Sequence, residues 1–112
     1  MPTNLSYVIQ FVADMDRAVQ FYRDTLGLPL KFQSPDWSEL VTGATTLALH
    51  KASPENPAGR VQLGFHVPDL QAFYREMTAK GYTFTQPPTL EARSNLARFI
   101  DSEGTEFSVG EG

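Results

Sequence analysis

At 112 residues, the chain is long enough for one domain with a hydrophobic core. Its net charge of -4, without a cluster of Lys or Arg, argues against binding to nucleic acid or an anionic membrane. The absence of cysteine excludes disulfides, thiolate zinc sites and a cysteine nucleophile. No apolar run approaches the ~20 residues of a membrane span. The N-terminus lacks a signal-peptide pattern, so we expect a cytoplasmic protein.

The first half of the chain predicts a strand, a helix and three further strands. Alternation of apolar and polar residues predicts the first strand at about 5–12. Asp14 suits the N-cap of the following helix, and Gly27 suits its end. The further strands are predicted at residues 30–33, 37–42 and 45–51.

The second half repeats this order after residues 52–60, a segment with two prolines and no hydrophobic periodicity that is typical of a linker. A helix is predicted from Asp69 to about Lys80, and a loop from Gln86 to about Asn95. Strands are predicted at residues 61–67, 82–85, 96–100 and 106–109. The chain is therefore predicted to contain two βαβββ modules, at about 5–51 and 61–110.

Three segments resemble the vicinal oxygen chelate superfamily, which includes glyoxalase I, extradiol dioxygenases, fosfomycin-resistance enzymes and bleomycin-resistance proteins. Residues 7–28 are similar to its opening strand and helix, residues 45–50 to the strand that closes its first module, and residues 101–107 to the turn before its last strand. The resemblance implies a single α+β domain of the glyoxalase/bleomycin resistance-like fold. Its mixed, curved sheets would surround a groove between the two modules.

The resemblance also implies where metal ligands would lie, one on each of four strands. In this sequence those positions are occupied by Tyr7, Ala48, Gln62 and Ser108. Divalent cations in such a site require two or more carboxylates or imidazoles. We therefore expect the scaffold without its metal centre.

Strand alternation predicts which other side chains share the groove with these four positions. His66 lies on the same face as Gln62, because Val61, Leu63, Phe65 and Val67 are predicted to pack on the helix. A turn at residues 43–44 would pair Trp37 with His50 and Glu39 with Ala48. The candidate ligand-binding residues are Tyr7, Trp37, Gln62, His66, His50, Ser108, Glu39 and Glu106.

Some of these residues have simpler interpretations. His50, Glu39 and Glu106 could be solvated charges at strand ends or edges. Arg93 and Arg98 could receive an anionic ligand, although a solvated pair is the simpler interpretation. Gln10 interrupts the apolar pattern of the first strand, and the sequence offers no reason for it.

The favoured hypothesis is a metal-free protein that binds a small, partly apolar organic molecule, as bleomycin-resistance proteins of this superfamily do. The alternative is a metal-dependent lyase or dioxygenase that uses displaced ligands such as His50, His66, Glu39 or Glu106. A third hypothesis is a metal-free enzyme with His66 or Glu106 as general base. A homodimer is also predicted, because the concave face of each module requires a partner.

Overall fold

The computed structural model describes residues 3–91 and 94–112, which form two compact units. The first unit spans residues 6–62, and the second comprises residues 63–112 with the start of the chain. The element order is strand, helix and three strands, twice over, so the predicted α+β fold with two βαβββ modules is confirmed. Arg93 lies outside the described residues.

The first unit contains a four-stranded mixed sheet with a helix on one face. The elements are β1 (Asn4–Val12), α1 (Met15–Gln20), a π-helical turn (Phe21–Thr25), β2 (Leu30–Phe32), β3 (Trp37–Val41) and β4 (Thr46–Lys51). The strand order is β2-β3-β4-β1, with β1 parallel to β4 and the other pairs antiparallel. The predicted pairs Trp37–His50 and Glu39–Ala48 are confirmed.

The helix of the first unit begins and ends as predicted, but its last turn is π-helical. The Asp14 carboxylate accepts a hydrogen bond from the Arg17 backbone N–H at 3.1 Å, which satisfies one of the free donors of the first turn. The helical segment also ends where predicted, because Leu26 is its C-cap and Gly27 follows with φ 74°, but after Gln20 the chain widens into the π-helical turn. There the Leu26 N–H bonds to the Phe21 carbonyl, five residues back, at 3.2 Å.

The helix packs on one face of the first sheet through a buried apolar cluster. The fully buried members are Val12, Val19, Leu40 and Leu49. Gln10 points to the same side, and its Oε1 accepts a hydrogen bond from the Tyr22 hydroxyl at 2.6 Å. This bond accounts for the polar residue that interrupts the apolar pattern of β1.

The second unit repeats the arrangement, and the first two residues of its opening strand belong to the first unit. The elements are β5 (Val61–Val67), α2 (Leu70–Ala79), β6 (Phe84–Glu91), β7 (Ser94–Ile100) and β8 (Glu106–Glu111). The strand order is β5-β8-β7-β6, with β5 parallel to β8. The N-terminus of α2 is capped twice, because the carboxylate of Asp69 accepts from the Ala72 N–H and that of Glu111 from the Leu70 N–H.

The loop predicted from Gln86 to Asn95 was wrong, because β6 and β7 form a hairpin through most of that segment. Pro87 and Pro88 lie within β6 although proline cannot donate to a strand ladder. Within the described residues β6 pairs only with β7, so its other edge requires no donors. The register also shifts between Gln86 and Thr89, which accommodates the two prolines.

The helix-facing side of the second sheet is aromatic and well buried. Its core contains Val67, Leu70, Phe73, Ala97, Phe99 and Val109. The prediction that Val61 and Leu63 also pack on the helix was wrong, because they are 52% and 42% exposed. Of the predicted apolar face of β5, Val67 belongs to the buried cluster that contains Leu70 and Phe73 of α2. Among the described residues, no helix is long and apolar enough to cross a membrane.

Candidate functional site

The first sheet has a second face, turned away from α1, that carries four of the predicted ligand-binding residues. Strand alternation places Tyr7, Ile9 and Phe11 of β1 opposite the helix-facing Gln10 and Val12. We call this surface the aromatic face and define it by the following residues. Its members are Tyr7, Ile9, Phe11, Trp37, Glu39, Ala48 and His50.

The rings of the aromatic face meet edge to face. The ring centroids of Tyr7 and Trp37 are 5.8 Å apart with an interplanar angle of 67°. Those of Trp37 and His50 are also 5.8 Å apart, at 88°. Phe11 lies behind His50, with its centroid 4.9 Å away. Trp37 is therefore held by two rings, in the geometry that aromatic quadrupoles favour.

Glu39 fixes the indole of Trp37 by a direct hydrogen bond. The Trp37 Nε1–H donates to Glu39 Oε2 at 2.8 Å. The other carboxylate oxygen lies 3.8 Å from Lys31 Nζ, and the Glu39 side chain is only 17% exposed whereas that of Lys31 is 64% exposed. The carboxylate is therefore mostly covered, and its charge faces the aromatic rings more than the solvent.

The charge of Glu39 extends to Tyr7. Burial, and next the negative charge of Glu39, raise the pKa of the Tyr7 phenol above its ordinary value of 10.0. Tyr7 therefore stays protonated at neutral pH and can donate or accept a hydrogen bond.

His50 has a defined tautomer. Its Nδ1 lies 2.8 Å from the carbonyl oxygen of Lys51, and because a carbonyl can only accept, Nδ1 carries the proton. In the neutral ring Nε2 is then an acceptor. The solvated strand end considered for His50 is only partly right, since the ring is half-buried between Trp37 and Phe11.

The other predicted residues, apart from Gln62, lie on the second sheet, on the face turned away from α2. Ser108 is buried, with its hydroxyl 3.5 Å from the Leu63 carbonyl. Glu106 accepts a hydrogen bond from the Thr85 hydroxyl at 2.6 Å. Arg98 pairs across the ladder with Ser108 and donates to the Gln86 amide oxygen, so a solvated pair does not describe it.

His66 lies over two glycines near the end of the chain. A Cβ at Gly110 would be 3.1 Å from His66 Cδ2, and one at Gly112 would be 3.0 Å from Nδ1. The imidazole thus occupies space that side chains at these positions would fill. Burial of the ring lowers the pKa of His66 below its ordinary value of 6.5.

Tyr7, Trp37, Glu39 and His50 are therefore brought together on the aromatic face, and Gln62 is buried in the same unit. His66, Ser108 and Glu106 belong to the second unit. The Trp37–Glu39 bond and the contact of His66 with Gly110 and Gly112 were not predicted from the sequence. The sequence contains a signal for the Trp37–Glu39 bond, because residues two apart on a strand share a face. The contact of His66 with the two glycines joins segments that are distant in the sequence, so no pattern of neighbouring residues indicates it.

The donors at the four inherited metal positions do not fit a metal ion, because phenol, methyl, amide and hydroxyl groups provide neither carboxylate nor imidazole. Across residues 3–91 and 94–112, no group of three or more His, Asp or Glu side chains could hold one. The alternative metal ligands named above, such as His50, His66, Glu39 and Glu106, therefore do not form such a group.

Comparison with known proteins identifies relatives of the fold. The family model described as the glyoxalase/bleomycin resistance protein/dioxygenase superfamily matches residues 4–109. The uncharacterized protein YurT of Bacillus subtilis is 33% identical, over 88% of this chain and 91% of its own. A hypothetical protein of Bacillus halodurans is similar in structure, with a TM-score of 0.82, 16% identity and coverage of 100% and 96%. Methylmalonyl-CoA epimerase of Mycobacterium tuberculosis has a TM-score of 0.77, 22% identity and coverage of 96% and 86%.

Proposed function

Because the chain belongs to the glyoxalase/bleomycin resistance protein/dioxygenase superfamily, we propose that it uses the scaffold of that family as a metal-free binding protein. Its ligand would be a small, partly apolar organic molecule bound on the aromatic face. The single observation that carries the proposal is the ring cluster of Tyr7, Trp37 and His50, with the Glu39 carboxylate bonded to the indole. Small-molecule sites typically combine apolar and aromatic walls with a few fixed polar groups.

The aromatic face has the properties that favour binding over chemistry. Trp37 and Tyr7 offer large contact areas at low cost in side-chain entropy, because their rings are already fixed by neighbours. The donor set at the inherited positions does not support the metal-dependent lyase or dioxygenase alternative. The methylmalonyl-CoA epimerase is only 22% identical to this chain. This similarity supports the fold and does not indicate the ligand.

The proposal is tested by a fragment screen observed by NMR. Trp37 is the single tryptophan of the chain, so its indole N–H gives one resonance that reports on the aromatic face. We expect fragments with an apolar body to shift this resonance. We expect Tyr7→Phe and Gln62→Leu, which both retain the Trp37 reporter, each to weaken binding about three- to tenfold, as the loss of one contact in a small site does.

The matched control is Tyr82→Phe, which removes a phenol that is 56% exposed in the second unit. Circular dichroism of every variant would establish that it folds. If Tyr7→Phe and Gln62→Leu fold normally and bind all fragments as the parent does, the binding site lies elsewhere and the proposal is wrong.

A further inference from the structure

We infer that the ligand of the aromatic face is an organic cation, an apolar molecule that carries an ammonium group. The inference rests on the proposed function, since it assigns the charge of the molecule bound at that site. It is carried by the electrostatic character of three neighbouring groups: the ring of Trp37, the carboxylate of Glu39 and Nε2 of His50.

The Trp37 ring is the first of these groups. The face of an aromatic ring carries negative electrostatic potential, and indole provides the strongest attraction for a cation among the natural side chains. The indole N–H donates to a carboxylate at 2.8 Å, which adds electron density to the ring. The Tyr7 and His50 rings each meet Trp37 edge to face, with centroids 5.8 Å away, and keep its plane fixed.

Glu39 is the second group, and it provides a full negative charge. Its side chain is 17% exposed, so the charge is less screened by water than that of a surface carboxylate. Among the described residues, Oε2 accepts from Trp37 Nε1 at 2.8 Å and Oε1 lies 3.8 Å from Lys31 Nζ. An ionised carboxylate has about four acceptor positions, so it can accept further hydrogen bonds from a ligand.

His50 is the third group, and it also accepts. Because Nδ1–H is directed to the Lys51 carbonyl at 2.8 Å, the neutral ring presents Nε2 as an acceptor. An ammonium group carries donors and no acceptor, which complements all three groups at once. A carboxylate or phosphate ligand would instead meet a carboxylate, ring faces and a lone pair.

The charges around Glu39 also favour a cationic ligand. In the part of the chain that the structure describes, Lys31 is the one cationic side chain within ion-pair distance of Glu39, and its side chain is 64% exposed. A solvated lysine at 3.8 Å neutralises a carboxylate weakly. The net charge of -4 adds an attractive field for a cation.

The test uses three compounds with one apolar body and different charge: cyclohexylmethylammonium, cyclohexylmethanol and cyclohexanecarboxylate. Binding is measured by NMR titration of the Trp37 indole resonance. We expect the ammonium to bind about tenfold more tightly than the alcohol, and the carboxylate more weakly than both. About 0.5 M salt should weaken binding of the ammonium and leave that of the alcohol unchanged.

Three variants distinguish an effect of the Glu39 charge from an effect on folding. Glu39→Gln retains an acceptor for the indole and should remove most of the preference for the ammonium over the alcohol. Lys31→Met removes the competing cation and should raise ammonium affinity about threefold, an effect that a purely structural role of Glu39 would not produce. Glu55→Gln removes one exposed negative charge from the same unit and should change neither affinity.

The outcomes distinguish the two proposals. Equal binding of the three compounds on the aromatic face would overturn the cation inference and leave the proposed function standing, and tightest binding of the carboxylate would do the same. If none of the compounds shifts the indole resonance at millimolar concentration while the fragment screen finds ligands, the cation inference fails alone. If the screen also finds none, both proposals fail.

Discussion

The Tyr22 hydroxyl donates a hydrogen bond to Gln10 Oε1 across 2.6 Å, and this bond joins the π-helical turn to the first strand. Gln10 is the polar exception on a sheet face that otherwise packs against the helix through apolar residues. Both side chains are half-buried, so each would be poorly hydrated without the other.

Tyr22→Phe should therefore lower the free energy of unfolding by about 1–2 kcal/mol, because it leaves the Gln10 amide without its donor. The double variant Tyr22→Phe with Gln10→Met should recover most of this loss, since replacing both partners by apolar groups of similar shape is nearly neutral. Urea denaturation of the single and double variants measures both values. An additive double variant would contradict a direct interaction.

The contact between His66 and Gly110 predicts that these two positions are energetically coupled. Gly110→Ala should lower the free energy of unfolding by about 1–2 kcal/mol, because its Cβ would lie 3.1 Å from His66 Cδ2 and 3.3 Å from Nε2. In a His66→Ala background the same change should have almost no effect, because the ring is gone. Denaturation of the four proteins of this cycle tests the contact, and an equal effect in both backgrounds would refute it.

His66 also predicts the direction of a pH effect on stability. Burial lowers the pKa of His66 below 6.5, so as the pH falls below about 6.5 the unfolded chain binds the proton more readily than the folded one. The stability contributed by the neutral ring is present above that pH and is lost below it. Thermal unfolding at about pH 7.5 and 5 should therefore show a larger decrease for the parent than for His66→Gln. An identical decrease in the two proteins would rule out this role.

Purified protein is expected to hold much less than one equivalent of zinc, nickel, iron or manganese. The reason is the set Tyr7, Ala48, Gln62 and Ser108 at the inherited positions, which lacks carboxylate and imidazole. Elemental analysis measures the content. About one metal per chain, lost on mutating His50 or His66, would contradict the expectation and restore the metal-dependent enzyme as the leading hypothesis.

The homodimer remains a prediction. Exposed apolar side chains on the first unit provide a physical reason, among them Phe21, Leu26 and Phe32, which are 49%, 56% and 52% exposed. Light scattering at about 10 μM should give twice the chain mass if the interface is of standard size. A single chain mass at that concentration would count against it.

Local chemistry made much of the fold predictable. Asp14 and Asp69 indicated both helix starts, because capping depends on neighbours three residues away. The turn at residues 43–44 correctly set the pairing of Trp37 with His50. The π-helical turn could not be predicted in the same way, since Phe21–Thr25 has the composition of an ordinary helix.

The contacts that could not be predicted, in the candidate site and outside it, depend on residues that are distant in the sequence or on the exact position of side chains. Gln10 and Tyr22 are 12 residues apart, and His66 meets Gly110 and Gly112 only because parallel pairing brings β8 beside β5. Strand alternation gave the face on which Tyr7, Trp37 and His50 lie. It gave no information on which rings touch or on where the Glu39 carboxylate bonds.

The two prolines of β6 have a consequence for how the protein behaves at high concentration. A bare strand edge is a template on which another chain can add a strand and begin aggregation. Pro87 and Pro88 remove two amide donors from β6, and the corresponding strand of the first unit, β2, is only three residues long. The edges formed by β6 and β2 are thus poor templates, which should reduce aggregation when the protein is made in quantity.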